Sequence, residues 1–134
     1  MNRLGRALIA VPAAVLITAG TATAAAATTG APSGAPPSGV PCVSTSGAKA
    51  CFVANGDAVY VKDTKANGDS VAGTLKSRLP ANWGRECFNV RGAAGGWVKC
   101  SFDVPEYQWA DLWAANKPFI GSQSSTKVYT SPII

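Results

Sequence analysis

"CFVANGDAVYV", Cys51 to Val61, decides the fold class. Two apolar runs flank Asn55-Gly56, one of the strongest short hairpin signals, because both residues tolerate positive φ. Past the turn, Val59 and Val61 alternate with Tyr60 and Lys62. A period of two places one face of a strand in a core and the other in water. "SVAGTLKSRL" continues it, with Val71, Leu75 and Leu79 on one parity and Thr74, Lys76 and Arg78 on the other. The stretch between, "VKDTKANGDS" (Val61 to Ser70), reads as a turn in which Asp63 ends one strand and Asn67-Gly68 takes positive φ. A calcium loop fits poorly. With Gly68 at the sixth position, Lys65 occupies a ligand position and Thr74 stands where a bidentate Glu is needed.

The four cysteines support the same class. Cys42, Cys51, Cys87 and Cys100 are an even set in a short chain, the usual mark of a disulfide framework. Of three pairings, hairpin geometry favours Cys42–Cys51, folded about Ser46-Gly47, and Cys87–Cys100, folded about Ala93-Ala94. A zinc site is the rival, but no Cys pair has close ligand spacing and His is absent. The remaining strands are expected over Cys87 to Val90, Trp97 to Val104 and the final "TKVYTSPII". "YQWADLWAA", Tyr107 to Ala115, is read as a strand in preference to a short helix. Many short strands between Gly-rich turns predict an all-β domain, a small antiparallel sandwich or barrel with two disulfides.

The first residues bear on the compartment. Arg3 and Arg6, the apolar run Ala7 to Gly20, and the small-residue site Ala22-Thr23-Ala24 form the charge, core and cleavage order of a secretory signal peptide over 1–24. Residues 25–41 are Pro-, Gly- and Ala-rich with no charge or aromatic, and are expected to be a linker or disordered arm. The β domain is then 42–134, and the protein is expected to be extracellular or associated with the cell wall. Without Arg3 and Arg6, ten Lys/Arg face seven Asp/Glu, a balance of +3. With no basic run, that argues against nucleic acid. No membrane contact is expected after cleavage.

A resemblance accompanies these residues. "ACFVANGDAVYVKDTKANGDSVAG" (Ala50 to Gly73) and "GRECFNVRGAAGGWVKC" (Gly84 to Cys100) resemble a group of small, secreted actinobacterial proteins. The shared features are a Cys-Phe start, a Gly-Asp turn, a Val-x-Asp-Thr-x-Ala-Asn/Asp-Gly-x-Ser segment and a Cys…Trp…Cys hairpin. Phe88, between Cys87 and Asn89, departs from the pattern. The resemblance implies a secreted β domain and no particular reaction.

Missing chemistry narrows the function. Without His, Ser-His and Cys-His nucleophiles and the usual zinc hydrolases are excluded. Carboxylate-pair hydrolysis remains, yet most Asp and Glu residues fall in turns. No catalytic residue, metal or cofactor is expected. The aromatics point to binding. On a strand, Tyr107, Trp109, Asp111 and Trp113 share a face that could stack sugar rings and accept hydroxyl hydrogen bonds. The structural alternative, that Trp109 and Trp113 are core, is the first expectation, because large rings dominate burial in small domains. Tyr60, Lys62, Lys76 and Arg78 form a second candidate patch, on the wet side of two strands expected to be neighbours. The leading reading is a secreted, non-enzymatic module for a cell-wall polymer or extracellular glycan. The alternative is a secreted interaction factor, such as an enzyme inhibitor or toxin-like effector, acting on another secreted protein through the loop Arg91 to Gly96.

Overall fold

Each alternating stretch forms a strand. The structure, a computed structural model, describes residues 26–116 and 123–132. The expected signal peptide lies outside them. In chain order the strands are β1 (Ala26–Thr29), β2 (Ala31–Pro32), β3 (Cys42–Ser44), β4 (Ala48–Val53), β5 (Ala58–Asp63), β6 (Val71–Ser77), β7 (Gly84–Asn89), β8 (Trp97–Ser101), β9 (Trp109–Asn116) and β10 (Gln123–Tyr129). They make two five-stranded sheets, in the orders β1-β7-β6-β9-β10 and β2-β8-β5-β4-β3. The protein is therefore an all-β sandwich. Every pairing is antiparallel except β1 with β7, which run parallel.

The two sheets bury their inward parity against each other. Val59, Val61 and Phe52 of the second sheet meet Val71, Leu75 and Leu112 of the first, all at 1% exposure or less. Gly73 lies under Val59 and Val61, which an added Cβ would strike. Among the described residues Phe52 is the only ring in the fully buried set. The core is otherwise small and aliphatic, so the other rings are left partly or wholly outside it.

Both expected disulfides are present, but only one sits in a hairpin. Cys42 and Cys51 face each other across β3 and β4, and the Thr45 N–H donates to Ala48 O at 2.8 Å to close the Ser46-Gly47 turn. The expected hairpin between Cys87 and Cys100 does not form. β7 lies in the first sheet and β8 in the second, so this bridge ties the sheets together. Cys87 and Cys100 both point inward, at 0% and 3% exposure, and the Gly-rich connection, with a short 3-10 turn at Ala93–Gly95, crosses from one layer to the other. The same layering corrects the expected neighbours β5 and β6. Residues 64–70 carry the chain between sheets and do not form a hairpin. Their Asx turns are real: Asp63 Oδ1 accepts from Lys65 N–H at 3.0 Å, and Asn67 Oδ1 from Asp69 N–H at 3.1 Å. In the Asn55-Gly56 turn, the positive φ angles fall one residue later than expected, at Gly56 (99°) and Asp57 (51°).

The Pro-rich stretch is not a free arm. Ala26–Thr29 completes the first sheet and Ala31–Pro32 the second. Gly30 makes the step between them. A Cβ there would lie 2.4 Å from Val98 Cγ2, so only glycine passes. Residues 33–41 then join opposite edges of the second sheet, from Ser33, bonded to Trp97 O, to Pro41, bonded to Phe52 N–H. Four strand spacings are about 19 Å and eight extended residues reach about 27 Å. That length is enough to join the two edges. Ser33, Pro36 and Val40 are half-buried while the residues between are exposed. Sequence reading missed this strap because its ordering comes from backbone pairing at its two ends, which composition does not report.

Asp57 holds one end of the sandwich. Its backbone O accepts from Phe102 N–H at 3.0 Å and its Oδ2 from Val104 N–H at 3.3 Å. The carboxyl is 8% exposed, and its Oδ1 has no hydrogen-bond partner. Loss of solvation raises its pKa, the Val104 N–H lowers it, and the charges of Glu106 and Asp103 raise it further; the net direction is upward. A raised folded pKa means that protonation favours folding. The contribution is complete below the ordinary value near 3.8 and is lost as pH rises through the folded pKa. Asp57→Asn keeps an acceptor for Val104, tolerates positive φ and carries no charge. It is expected to resist urea better than the parent at pH 7, with the two midpoints converging near pH 3. A parent that is the more resistant at pH 7 would refute this account.

Candidate functional site

The outer face of the first sheet gathers the chemistry. On β9, Trp109, Asp111 and Trp113 share the outward parity, while Ala110, Leu112 and Ala114 are buried. Trp109 is 49% exposed, and Trp113 and Asp111 are half-buried. The first expectation for the two tryptophans, burial in the core, is thus overturned. The four-residue spacing sets the rings about 13 Å apart along the strand. β6 and β7 are neighbours in this sheet, as are β9 and β10.

Neighbouring strands complete the site. Lys76 on β6 and Lys127 on β10 both lie opposite Asp111. Arg78 reaches Asp111 Oδ1 with Nη2 at 2.7 Å and Nε at 3.2 Å, the one salt bridge among the described residues. That hydrogen bond raises the pKa of the guanidinium. Lys127 Nζ lies 4.1 Å from the centre of the Trp109 ring. Tyr129, opposite Trp109, tilts against it at 5.0 Å. At the other end Thr74 donates to Glu86 Oε2 at 3.0 Å, beside Trp113.

The backbone under Trp109 is fixed before the strand begins. Tyr107 N–H donates to Ser131 Oγ at 2.7 Å, Gln108 N–H to Thr130 Oγ1 at 3.0 Å, and Thr130 N–H to Gln108 O at 2.9 Å. Trp83 Nε1 donates to Gln108 Oε1 at 2.9 Å. The β6–β7 loop is closed by Ser77 and Trp83, which exchange two bonds at 2.8 and 3.0 Å. These contacts hold a groove of about 430 Å3 between the loop and Trp109. A larger hollow of about 600 Å3 lies between residues 63–70 and 90–94, but no ring lines it.

The predicted residues are therefore regrouped. Trp109, Asp111 and Trp113 stand together. Tyr107 precedes the strand, with φ 58° and 79% exposure, and does not extend the row. The second patch is split. Lys76 and Arg78 join the first patch, while Tyr60 and Lys62 are on the second sheet. There they form a separate row in which Lys62 lies over Trp97 at 5.9 Å and Lys99 over Tyr60 at 5.6 Å. The error came from taking β5 and β6 as neighbours. Lys127 and Tyr129 are missing from the predicted site, although the alternation in "TKVYT" places them on one parity; Leu79, expected on the core parity with Val71 and Leu75, lies past the end of β6 at Ser77 and is 89% exposed.

Fold and site define a disulfide-stapled β-sandwich with an open, ring-bearing sheet face. Comparison with family models, curated proteins and solved structures finds no match for this chain.

Proposed function

We propose that this is a secreted, non-enzymatic binding module that lays an extracellular glycan or cell-wall polymer along the outer face of the first sheet. The observation that carries the reading is the row Trp109, Asp111, Trp113, exposed or half-exposed on a rigid strand in a protein whose core is otherwise aliphatic. Ring faces stack against the CH faces of sugars, and the Asp and Lys side chains between them meet hydroxyls. The two disulfides suit an oxidising environment, and no helix among the described residues is long and apolar enough to cross a membrane. A flat face suits holding better than cleavage. Its two acids, Glu86 and Asp111, stand two strands and two residues apart, and each is already engaged, Glu86 by the Thr74 hydroxyl at 3.0 Å and Asp111 by Arg78 at 2.7 Å.

The test is a glycan array and a pull-down on purified cell wall with the mature chain. Trp109→Ala and Trp113→Ala are each expected to weaken retention about tenfold with unchanged thermal unfolding, since neither ring is in the core. A protein that stays in the supernatant and lights no glycan would overturn the reading. The interaction-factor alternative gains nothing from the loop Arg91 to Gly96, which folds into a 3-10 turn and not the extended strand that an enzyme cleft commonly takes.

A further inference from the structure

The groove beside Trp109 has a charge that a neutral sugar would not need. Its lining includes Arg78, Leu79, Pro80, Gln108, Trp109 and Lys127, and no carboxylate. Outside it, Asp111 is the one acid in a cross-strand row with Lys76 and Lys127, and Arg78 already holds it. Three cations thus surround one carboxylate. Arg78 uses two of its five N–H donors on Asp111, which leaves three. Lys127 contacts the Trp109 ring and no carboxylate among the described residues. Leu79, 89% exposed on the β6–β7 loop, adds an apolar group to the lining that Trp109 shares.

We infer that this groove is a subsite for an acidic sugar, a saccharide unit bearing a carboxylate, within the polymer held by the face. The inference rests on the glycan reading above and adds the chemical class. A uronic-acid ring offers an apolar CH face and a planar anion. The first fits Trp109 and Leu79; the second fits the Arg78 fork and the Lys127 ammonium. A bare phosphodiester or a lipid headgroup would match the cations alone and leave the ring without a role.

The experiment compares polygalacturonate with its methyl ester, the same backbone with the charge masked. Affinities are measured calorimetrically at low and at physiological salt on the mature chain. The parent is expected to bind polygalacturonate about tenfold tighter than the ester at low salt, with the gap shrinking as salt screens it. Lys127→Gln is expected to narrow that gap, while Trp113→Ala weakens both polymers alike. Lys127 is exposed, so thermal unfolding should not change. Equal affinity of the parent for the two polymers would overturn the acidic subsite and leave the glycan reading standing. Equally tight binding to duplex DNA or to anionic vesicles, indifferent to Trp109→Ala, would overturn it as a bare electrostatic surface. Binding to no saccharide would end both.

Discussion

Cys87→Ala/Cys100→Ala is expected to lower the unfolding free energy by about 3–5 kcal/mol, and Cys42→Ala/Cys51→Ala by about 1–2 kcal/mol. Loop length alone does not separate them. The sequence separations are 13 and 9, a difference worth under about 0.5 kcal/mol in the chain-entropy model. Location decides. Cys87 and Cys100 are both buried and join the two sheets; their loss removes packed sulfur from the core and the disulfide that ties the layers together. Cys42 is exposed on a three-residue edge strand. Without its bridge that strand can fray while the sandwich persists, which returns some entropy to the folded state. With a total of about 5–15 kcal/mol to lose, the first variant is expected to be marginal at 37 °C and the second folded. Urea titrations of the two variants at one pH check this; equal losses would show that the inter-sheet bridge has no special weight.

The contrast between the bridges also shows how far the sequence could be read. Period-two runs around Val59–Val61 and Val71–Leu75 declare strands, because alternation is a property of one strand and its own two faces. Sheet membership is not. Cys87–Cys100 and Asn67-Gly68 both looked like hairpin centres, since a Gly-rich turn that reverses within a sheet has the same composition as one that steps between sheets. The row Trp109, Asp111, Trp113 was legible from parity, but its exposure was not. That depended on how many small aliphatic residues the opposing sheet supplied, and so on whether the core had room for indoles. Lys76 and Arg78 were correctly seen as outward-facing and wrongly partnered, because cross-strand neighbours follow from strand order. The N-terminal strap was the least legible part. A Pro-rich, uncharged stretch looks unable to fold when only its side chains are counted, whereas here it is held by sheet edges that need backbone partners.

Asn89 should prove the least replaceable polar residue in the protein. It is fully buried, points inward from β7 two residues past Cys87, and spans the layers. Its Nδ2 donates to Val61 O and Gly96 O, both at 3.0 Å, and its Oδ1 accepts from Arg91 N–H at 3.0 Å. Arg91 Nη1 in turn donates to Gly95 O at 2.7 Å, so one amide sets the crossing from the first sheet to the second. Asn89→Ala removes three hydrogen bonds from a buried site and is expected to cost about 2–4 kcal/mol. Asn89→Asp keeps the shape and aims a buried carboxylate oxygen at two carbonyl oxygens, with the Arg91 guanidinium held away on Gly95 O. At pH 7 it is expected to cost more than the alanine, about 3–5 kcal/mol. The sign of its pH dependence follows from that surrounding. Burial and the facing carbonyls raise the folded pKa of the new acid, so its protonated form, which can donate to one carbonyl, is favoured by folding. Stability is then fully restored only below the unfolded value of about 3.9 and falls as pH rises through the folded pKa. The parent has no such group at this position, so the gap between parent and Asn89→Asp should narrow from pH 7 to pH 4 in urea titrations, while the gap for Asn89→Ala stays constant. A gap for Asn89→Asp that is flat with pH, or smaller than that of the alanine, would mean that this amide does not bridge the sheets as described.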